Sequence, residues 1–296
     1  MTSEPIVLSG ITWDHSRALP PLVAASQRYE ELNPGIRIRW DKRSLHEFGH
    51  MPIEQLADRF DFVVIDHPWA AYCFARGLVH DLKLLLTSSQ YEDLENNCIG
   101  PSFRSYLYKG NLLALPIDAA TPTPSWRPDL LQKHARQVPQ TLSEVIDLAD
   151  AGLAVMPGFP ADLFLNWSML LAAMNANPFS NADQIADAEP AFAAMDLLKR
   201  LAQNMPAEIY QWNPIAIAEQ MTRGDKIAYC AFAYSYGNYC RSHFTPNPLR
   251  YGNLVKLDDG TQLRSIVGGT GMAITRRCKE LQAALDFANY CASAYV

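Results

Sequence analysis

The stretch HEFGH, His46 to His50, carries the spelling H-E-x-x-H. On a helix that spacing stacks two imidazoles one turn apart, where they can hold zinc, and sets a glutamate beside them as general base. The neighbouring residues argue against this chemistry. Gly49 weakens a helix through both histidines, and Pro52 pushes Met51 away from the helical region. The extended zinc motif would need Gly and His where Ile53 and Leu56 stand, and Glu54 is too close to act as a third ligand. HEFGH therefore reads as a polar connection into a helix.

No other group of residues has the pattern of a catalytic or metal centre. His15, His67, His80, His134 and His243 lack metal-ligand spacing, and there is no G-x-S-x-G elbow or Walker loop. No catalytic residue, metal or cofactor is expected. What remains is chemistry suited to binding. The loop WDHSR places Trp13, Asp14, His15 and Arg17 at the start of a helix, where Asp14 or Ser16 could cap. Trp13, His15 and Arg17 could equally stack on and hydrogen-bond a small polar ligand. DHPW sets Asp66 and His67 after an apolar run, where a charge is costly unless it is used. The aromatics of AYSYGNY, Tyr234, Tyr236 and Tyr239, suit either a core or a ligand platform. GGTG, residues 268–271, lacks the lysine and length of a nucleotide loop and reads as a tight turn.

These residues need elements to hold them. The 296-residue chain, 49% hydrophobic and 19% charged, is long enough for two domains. A net charge of −6 without a Lys/Arg cluster lacks the footprint of a nucleic-acid binder. No window approaches the roughly 20 apolar residues of a membrane-spanning helix. The N-terminus enters an apolar run after Pro5, leaving no room for a signal peptide, so a cytoplasmic chain or a mature exported form is expected. The six cysteines, Cys73, Cys98, Cys230, Cys240, Cys278 and Cys291, form no C-x-x-C pair and read as buried free thiols, with a Cys230–Cys240 disulfide as the alternative.

PIVLSGIT reads as a strand, LPPLVAASQRYEEL as a helix stopped by NPG, IRIRW as a second strand, MPIEQLADRF as a helix and FDFVVID as a strand buried on both faces. HPWAAYCFARGL follows as a helix closed by Gly77. Such alternation predicts an α/β domain with a largely parallel sheet, whose ligands sit beyond the carboxyl ends of the strands. WDHSR and DHP should both emerge there. The proline-rich segment from Ala114 marks a domain crossing near Asp118, and VPQTLSEV starts a helix with a capping box from Thr141 to Glu144. Helices are expected at about 161–175 and 190–204, a return crossing at RSIVGGTGMAIT, and a final amphipathic helix without a stop signal.

The order of motifs resembles family 1 extracellular solute-binding proteins, the maltose-binding-protein-like components of ATP-binding-cassette importers. The echoes are RYEELNPGIRIRW, FDFVVIDHPWAAYCFARGLVHDL, YKGNLLALPID, VPQTLSEVIDLA, MTRGDKIAYCAFAYSY and GGTGMAITRRCKELQAALDFANY. PSWRPDLL departs from the family's usual Asn-Lys after the first crossing.

The resemblance implies a two-lobed periplasmic-binding-protein-like fold of type II, with mostly parallel sheets and a ligand cleft between lobes. The implied lobes are residues 1–117 with 264–296, and 118–263. It implies a monomeric periplasmic protein that captures a small polar solute, sugar or carboxylate, and hands it to a membrane permease. The residues expected to line the cleft are Trp13, Asp14, His15, Arg17, Asp66, His67, Asp118, Tyr234, Tyr236, Gly269 and Thr270. Two alternatives use the same fold: a thiaminase-like enzyme with Cys230 or Cys240 as nucleophile, and a cytosolic sensor.

Overall fold

The computed structural model describes residues 4–44, 47–48, 51–180 and 183–293. Its chain divides into two compact units, one made of the residues up to Ala119 together with those from Val267, the other Ala120–Ile266. Each has its own apolar core.

In the first unit, β1 (Ile6–Trp13), α1 (Leu19–Leu32), β2 (Ile36–Arg43), α2 (Ile53–Ala57), β3 (Phe62–Asp66) and α3 (Trp69–Arg76) alternate as the sequence predicts. Gly77 ends α3 at φ +65, the left-handed conformation that glycine adopts without a Cβ penalty. The helices α4 (Ser88–Asn97) and α5 (Ser102–Ser105) and the strands β4 (Leu107–Tyr108), β5 (Asn111–Leu112) and β6 (Leu115–Pro116) complete the stretch before the crossing. In the second unit come β7 (Ser125–Trp126), α6 (Pro128–Lys133), α7 (Leu142–Asp150), β8 (Ala154–Val155), α8 (Pro160–Ala173), α9 (Ala188–Ala202), α10 (Pro214–Arg223), β9 (Tyr229–Cys230) and β10 (Arg250–Tyr251). The chain then returns as β11 (Thr270–Ile274) and α11 (Leu281–Ala292). The capping box expected at Thr141 and Glu144 opens α7, each side chain bonding the other's backbone N–H.

The strand order of the first sheet is β2-β1-β3-β11-β6. β1 pairs in parallel with β2 and β3, but β11 runs antiparallel to both β3 and β6. The second sheet, β10-β7-β9-β8, has one parallel pair, β8 with β9, and two antiparallel pairs. Both sheets are therefore mixed where mostly parallel ones were expected. β7 and β11 are the first strands after each crossing, and each joins its sheet from the edge at which the parallel strands end. Such a strand can only run the opposite way.

Packing fixes the first sheet's registry. Gly10 pairs with Trp40, and a Cβ on Gly10 would run into the Trp40 ring. That ring stacks on Phe62 at 6.0 Å, and Phe62 meets Phe287 of α11 at 5.5 Å. A one-residue slip would turn these aromatics to the wrong face. The carboxyl edge of the sheet is thereby held at fixed height, with Trp13, Arg43, Asp66 and Thr270 ending or beginning their strands there.

Candidate functional site

At this edge β1 gives way to a tight loop. Asp14 donates its N–H to the Arg43 carbonyl at 2.8 Å, and His15 Nδ1 accepts the Arg17 backbone N–H at 3.1 Å. The loop thus orients Arg17, whose guanidinium forms a two-point bond to Asp118: Nε to Oδ1 at 3.0 Å and a terminal nitrogen to Oδ2 at 2.5 Å. The pair is mostly sheltered, with side chains 14% and 21% exposed. Parallel, planar donors matched to a carboxylate make this a strong, geometrically specific contact.

Asp118 is itself held by the two crossing segments. Thr270 N–H donates to its carbonyl at 3.1 Å, while the N–H groups of Ile117 and Asp118 donate to the Thr270 carbonyl at 3.0 and 3.3 Å. Gly269 adopts φ +98, and a Cβ there would collide with the Asp118 carbonyl and stand 2.8 Å from Ala119 Cα. Gly269→Ala is therefore expected to cost roughly 2 kcal/mol from backbone strain and crowding, read as a melting temperature lower by roughly 5 °C.

Beside the Arg17–Asp118 pair is a cavity of about 160 Å³. Trp13, Arg17, Asp118 and Thr270 are among its lining residues, with apolar wall from α1.

Asp66 ends β3 half-buried, and among the described residues its carboxylate makes no hydrogen bond. Loss of hydration raises its pKa to about 6; Arg17 and Arg43 pull it down and Asp118 pushes it up. Arg43 is buried, donates to the Val64 carbonyl at 3.0 Å and lies over the Phe48 ring at 4.8 Å. Burial lowers its pKa to about 10, so it stays charged at neutral pH. Beneath the edge, the Tyr106 hydroxyl donates to the Ile65 carbonyl at 3.1 Å, and burial raises its pKa. Burial lowers the His67 pKa, favouring a neutral imidazole. Two carboxylates and two guanidiniums therefore share one sheet edge and cancel in formal charge.

The other expected residues fall in three places. Asp14 is exposed and pairs with Lys42 at 2.8 Å. Trp13 is 4% exposed with its ring 5.0 Å from Phe48, so most of it packs in the core, while part of it lines the cavity beside Arg17 and Asp118. Tyr234 and Tyr236 belong to the second unit, Tyr234 half-buried at φ +58 and Tyr236 buried, its carbonyl accepting from the Tyr251 hydroxyl at 3.1 Å. Tyr239 is core, bonded to Glu219 at 2.7 Å.

Arg43 escaped the sequence reading because the second strand was ended at Trp40. Its signal was the parallel registry, which sets residue 43 beside Trp13.

All six cysteines are free, but Cys240 is exposed and Cys98 and Cys291 half-buried, so the expectation of burial holds for Cys73, Cys230 and Cys278 only. Burial raises the Cys230 thiol to about 12 and raises Cys240 as well. Neither has the lowered pKa that activates a thiol nucleophile, so these thiols lend the enzyme alternative no support. His46, Gly49 and His50 of HEFGH lie outside the described residues. Among the described residues no group of three His, Cys, Asp or Glu could hold a metal ion, and no helix is long and apolar enough to cross a membrane.

Among solved structures, maltose-bound MalE3 of T. maritima superposes with a TM-score of 0.81 at 14% identity, covering 97% of this chain and 77% of that one. A solute-binding protein of an ABC transporter from Agrobacterium radiobacter K84, in complex with ribitol, gives 0.79 at 18% identity over 98% and 77%. One from Thermotoga lettingae TMO bound with α-D-tagatose gives 0.80 at 15% over 98% and 77%. At such identities the likeness establishes the fold, the α/β class of two-lobed binding proteins. No curated protein sequence matches the chain. The family model described as bacterial extracellular solute-binding protein matches residues 24–295, and a match over that span identifies the chain as a member of that family of binding proteins.

Proposed function

We propose that this protein captures a small, neutral, hydroxyl-rich solute and delivers it to the permease of an ATP-binding-cassette importer. The observation that carries the reading is the carboxylate of Asp66, half-buried and without a hydrogen bond among the described residues, in a charge-balanced group with Arg17, Arg43 and Asp118. An anion would face two carboxylates and a cation two guanidiniums, so neither gains net attraction. A hydroxyl group donates to Asp66 and accepts from a guanidinium, satisfying groups that are costly to leave unmet. The printed ligands of the structural neighbours, maltose, ribitol and tagatose, are of this class. The family's extracellular character supports a periplasmic location.

Of the expected lining residues, Arg17, Asp66, His67, Asp118, Gly269 and Thr270 are assigned here to the first unit's share of binding. Tyr234 and Tyr236 are assigned to the second unit's.

A thermal-shift panel of polyols, aldoses, disaccharides, dicarboxylates and diamines tests the proposal. Members with several neutral hydroxyls should raise the melting temperature, by about 2.7 kcal/mol of stabilisation at a hundredfold excess over Kd. A response confined to dicarboxylates or diamines would overturn it. Native mass measurement adds a check on HEFGH: a zinc adduct removed by chelator and lost in His46→Ala would restore the metal reading.

A further inference from the structure

The second unit carries an apolar face that solute binding leaves unused. Between α8 and α9 runs a groove of about 600 Å³. Leu163, Phe164, Trp167, Ile185, Met195 and Leu198 are among its walls, and every lining residue is apolar. The groove is held open by a polar tie: the Trp167 indole N–H donates to the Ala191 carbonyl at 3.1 Å and sets the spacing of the two helices.

Aromatic rings extend the face beyond the groove. Phe164 meets Trp167 at 5.7 Å and Phe179 at 6.0 Å, and the Phe179 N–H donates to the Ile185 carbonyl at 2.6 Å. On α9, Phe192 stands outside the groove, one helical turn from Met195. Phe164, Phe179, Ile185, Phe192 and Met195 are between 40% and 67% exposed. At roughly 200 Å² for a large side chain, they present about 550 Å² of apolar surface, at the upper end of what a monomer leaves bare.

Three features fit a second copy of this chain. A twofold pairing needs one patch to carry both a knob and the hole that receives it, and here the Phe192 ridge adjoins the groove on the same helix. The charges along α9 are also arranged for it. Exposed Asp187 and Glu189 open the helix and exposed Lys199 and Arg200 close it, with Met195 at its midpoint. A twofold axis beside Met195 sets two such helices antiparallel, so each acidic end meets a basic end and the helix dipoles oppose one another. Area agrees: two copies would cover about 1,100 Å² of apolar side chain before the charged rim is counted, above the roughly 1,000 Å² that a specific interface needs. A membrane of anionic lipid would instead meet exposed Asp183, Asp187, Glu189 and Asp196, which outnumber Lys199 and Arg200.

We propose that the α8–α9 face is a twofold homodimer interface, with Phe192 of each copy seated in the groove of the other and Glu189 of each opposite Lys199 of the other. The monomer implied by the family resemblance is then the dilute form. The interface uses none of the residues assigned above to solute binding, so the two proposals stand or fall separately.

Sedimentation of the full chain across a concentration series from about 1 to 200 μM tests this. The expected result is a monomer–dimer equilibrium with a Kd on the order of 10 μM. Phe192→Asp should weaken it about a hundredfold or more, because the change enters the interface twice, while the melting temperature of the dilute protein stays unchanged. Glu189→Lys and Lys199→Glu should each weaken it about tenfold, since each sets like charges face to face. An equimolar mixture of those two variants should regain the dimer, because every facing pair is then of opposite sign. If Phe192→Asp fails to fold, the charge-reversed pair decides the matter. A monomer throughout the series, open-ended aggregates in place of a dimer, a dimer untouched by Phe192→Asp, or a mixture no tighter than its components would overturn the proposal. Binding to phosphatidylglycerol vesicles without self-association would overturn it in favour of a membrane surface.

Discussion

Asp66→Asn is expected to stabilise the ligand-free protein and weaken its solute complex. In the folded chain the Asp66 carboxyl is raised from 3.8 to about 6, first by lost hydration, with Arg17 and Arg43 opposing and Asp118 adding repulsion. Between about pH 4 and 6 the folded state then holds a proton that the unfolded state has released. Stability falls as pH rises through that window, and the full deficit is present above about pH 6. Discounted for partial solvent access, the deficit is on the order of 1–2 kcal/mol. Asparagine keeps the shape without the charge, so the variant should melt a few degrees higher at pH 8 and equal the parent near pH 4. Binding should move the other way. A hydrogen bond to a charged acceptor contributes about 1.5–3 kcal/mol, so the variant should lose roughly 10- to 100-fold in affinity. Parent affinity should climb as pH rises through 6, while the variant's stays flat. Calorimetric titrations from pH 5 to 8, paired with thermal melts, read both effects. A variant less stable at pH 8 would mean that Asp66 supports the fold.

How far such a site is legible in sequence depends on the range of the interactions that build it. WDHSR and DHP were placed at one sheet edge because a buried apolar run such as FVVI followed by Asp66 is a local pattern. The Thr141 capping box and the Gly77 stop are equally local and appear as expected. The Arg17–Asp118 contact joins residues 101 positions apart, and nothing near either residue announces the other. The direction of β11 was missed because strand propensity is the same in both directions; only the crossing decides it. How deeply Trp13 is buried is not legible in the sequence, because a tryptophan next to polar residues can turn to either side of the edge, and Phe48 draws it inward.

The largest stability effect is expected from Arg17→Met. Removing the guanidinium leaves Asp118, whose side chain is 21% exposed, without its two-point partner, and takes from Asp66 one of its two compensating charges. Breaking a sheltered pair on one side costs about 3–5 kcal/mol when the remaining charge is fully buried; this partly exposed pair should lose roughly 3. Asp118→Leu alone strands Arg17 and should cost somewhat less, since a long guanidinium side chain can turn toward water. The double variant has no stranded charge at this position. Replacing both members of a buried pair by apolar groups is often neutral, so its stability should return to within about 1 kcal/mol of the parent, a coupling of several kcal/mol in urea melts. Solute affinity, measured on the same three proteins, separates two reasons for keeping the pair. If it serves only to fix the crossing segments, the double variant should recover binding along with stability. If its unshared lone pairs and N–H groups face the solute, the double variant should be stable and unable to bind. The second outcome is expected, because a charge-neutral group at a sheet edge adds little to folding that two leucine-sized side chains could not supply, whereas only the polar pair can exchange hydrogen bonds with a hydroxyl.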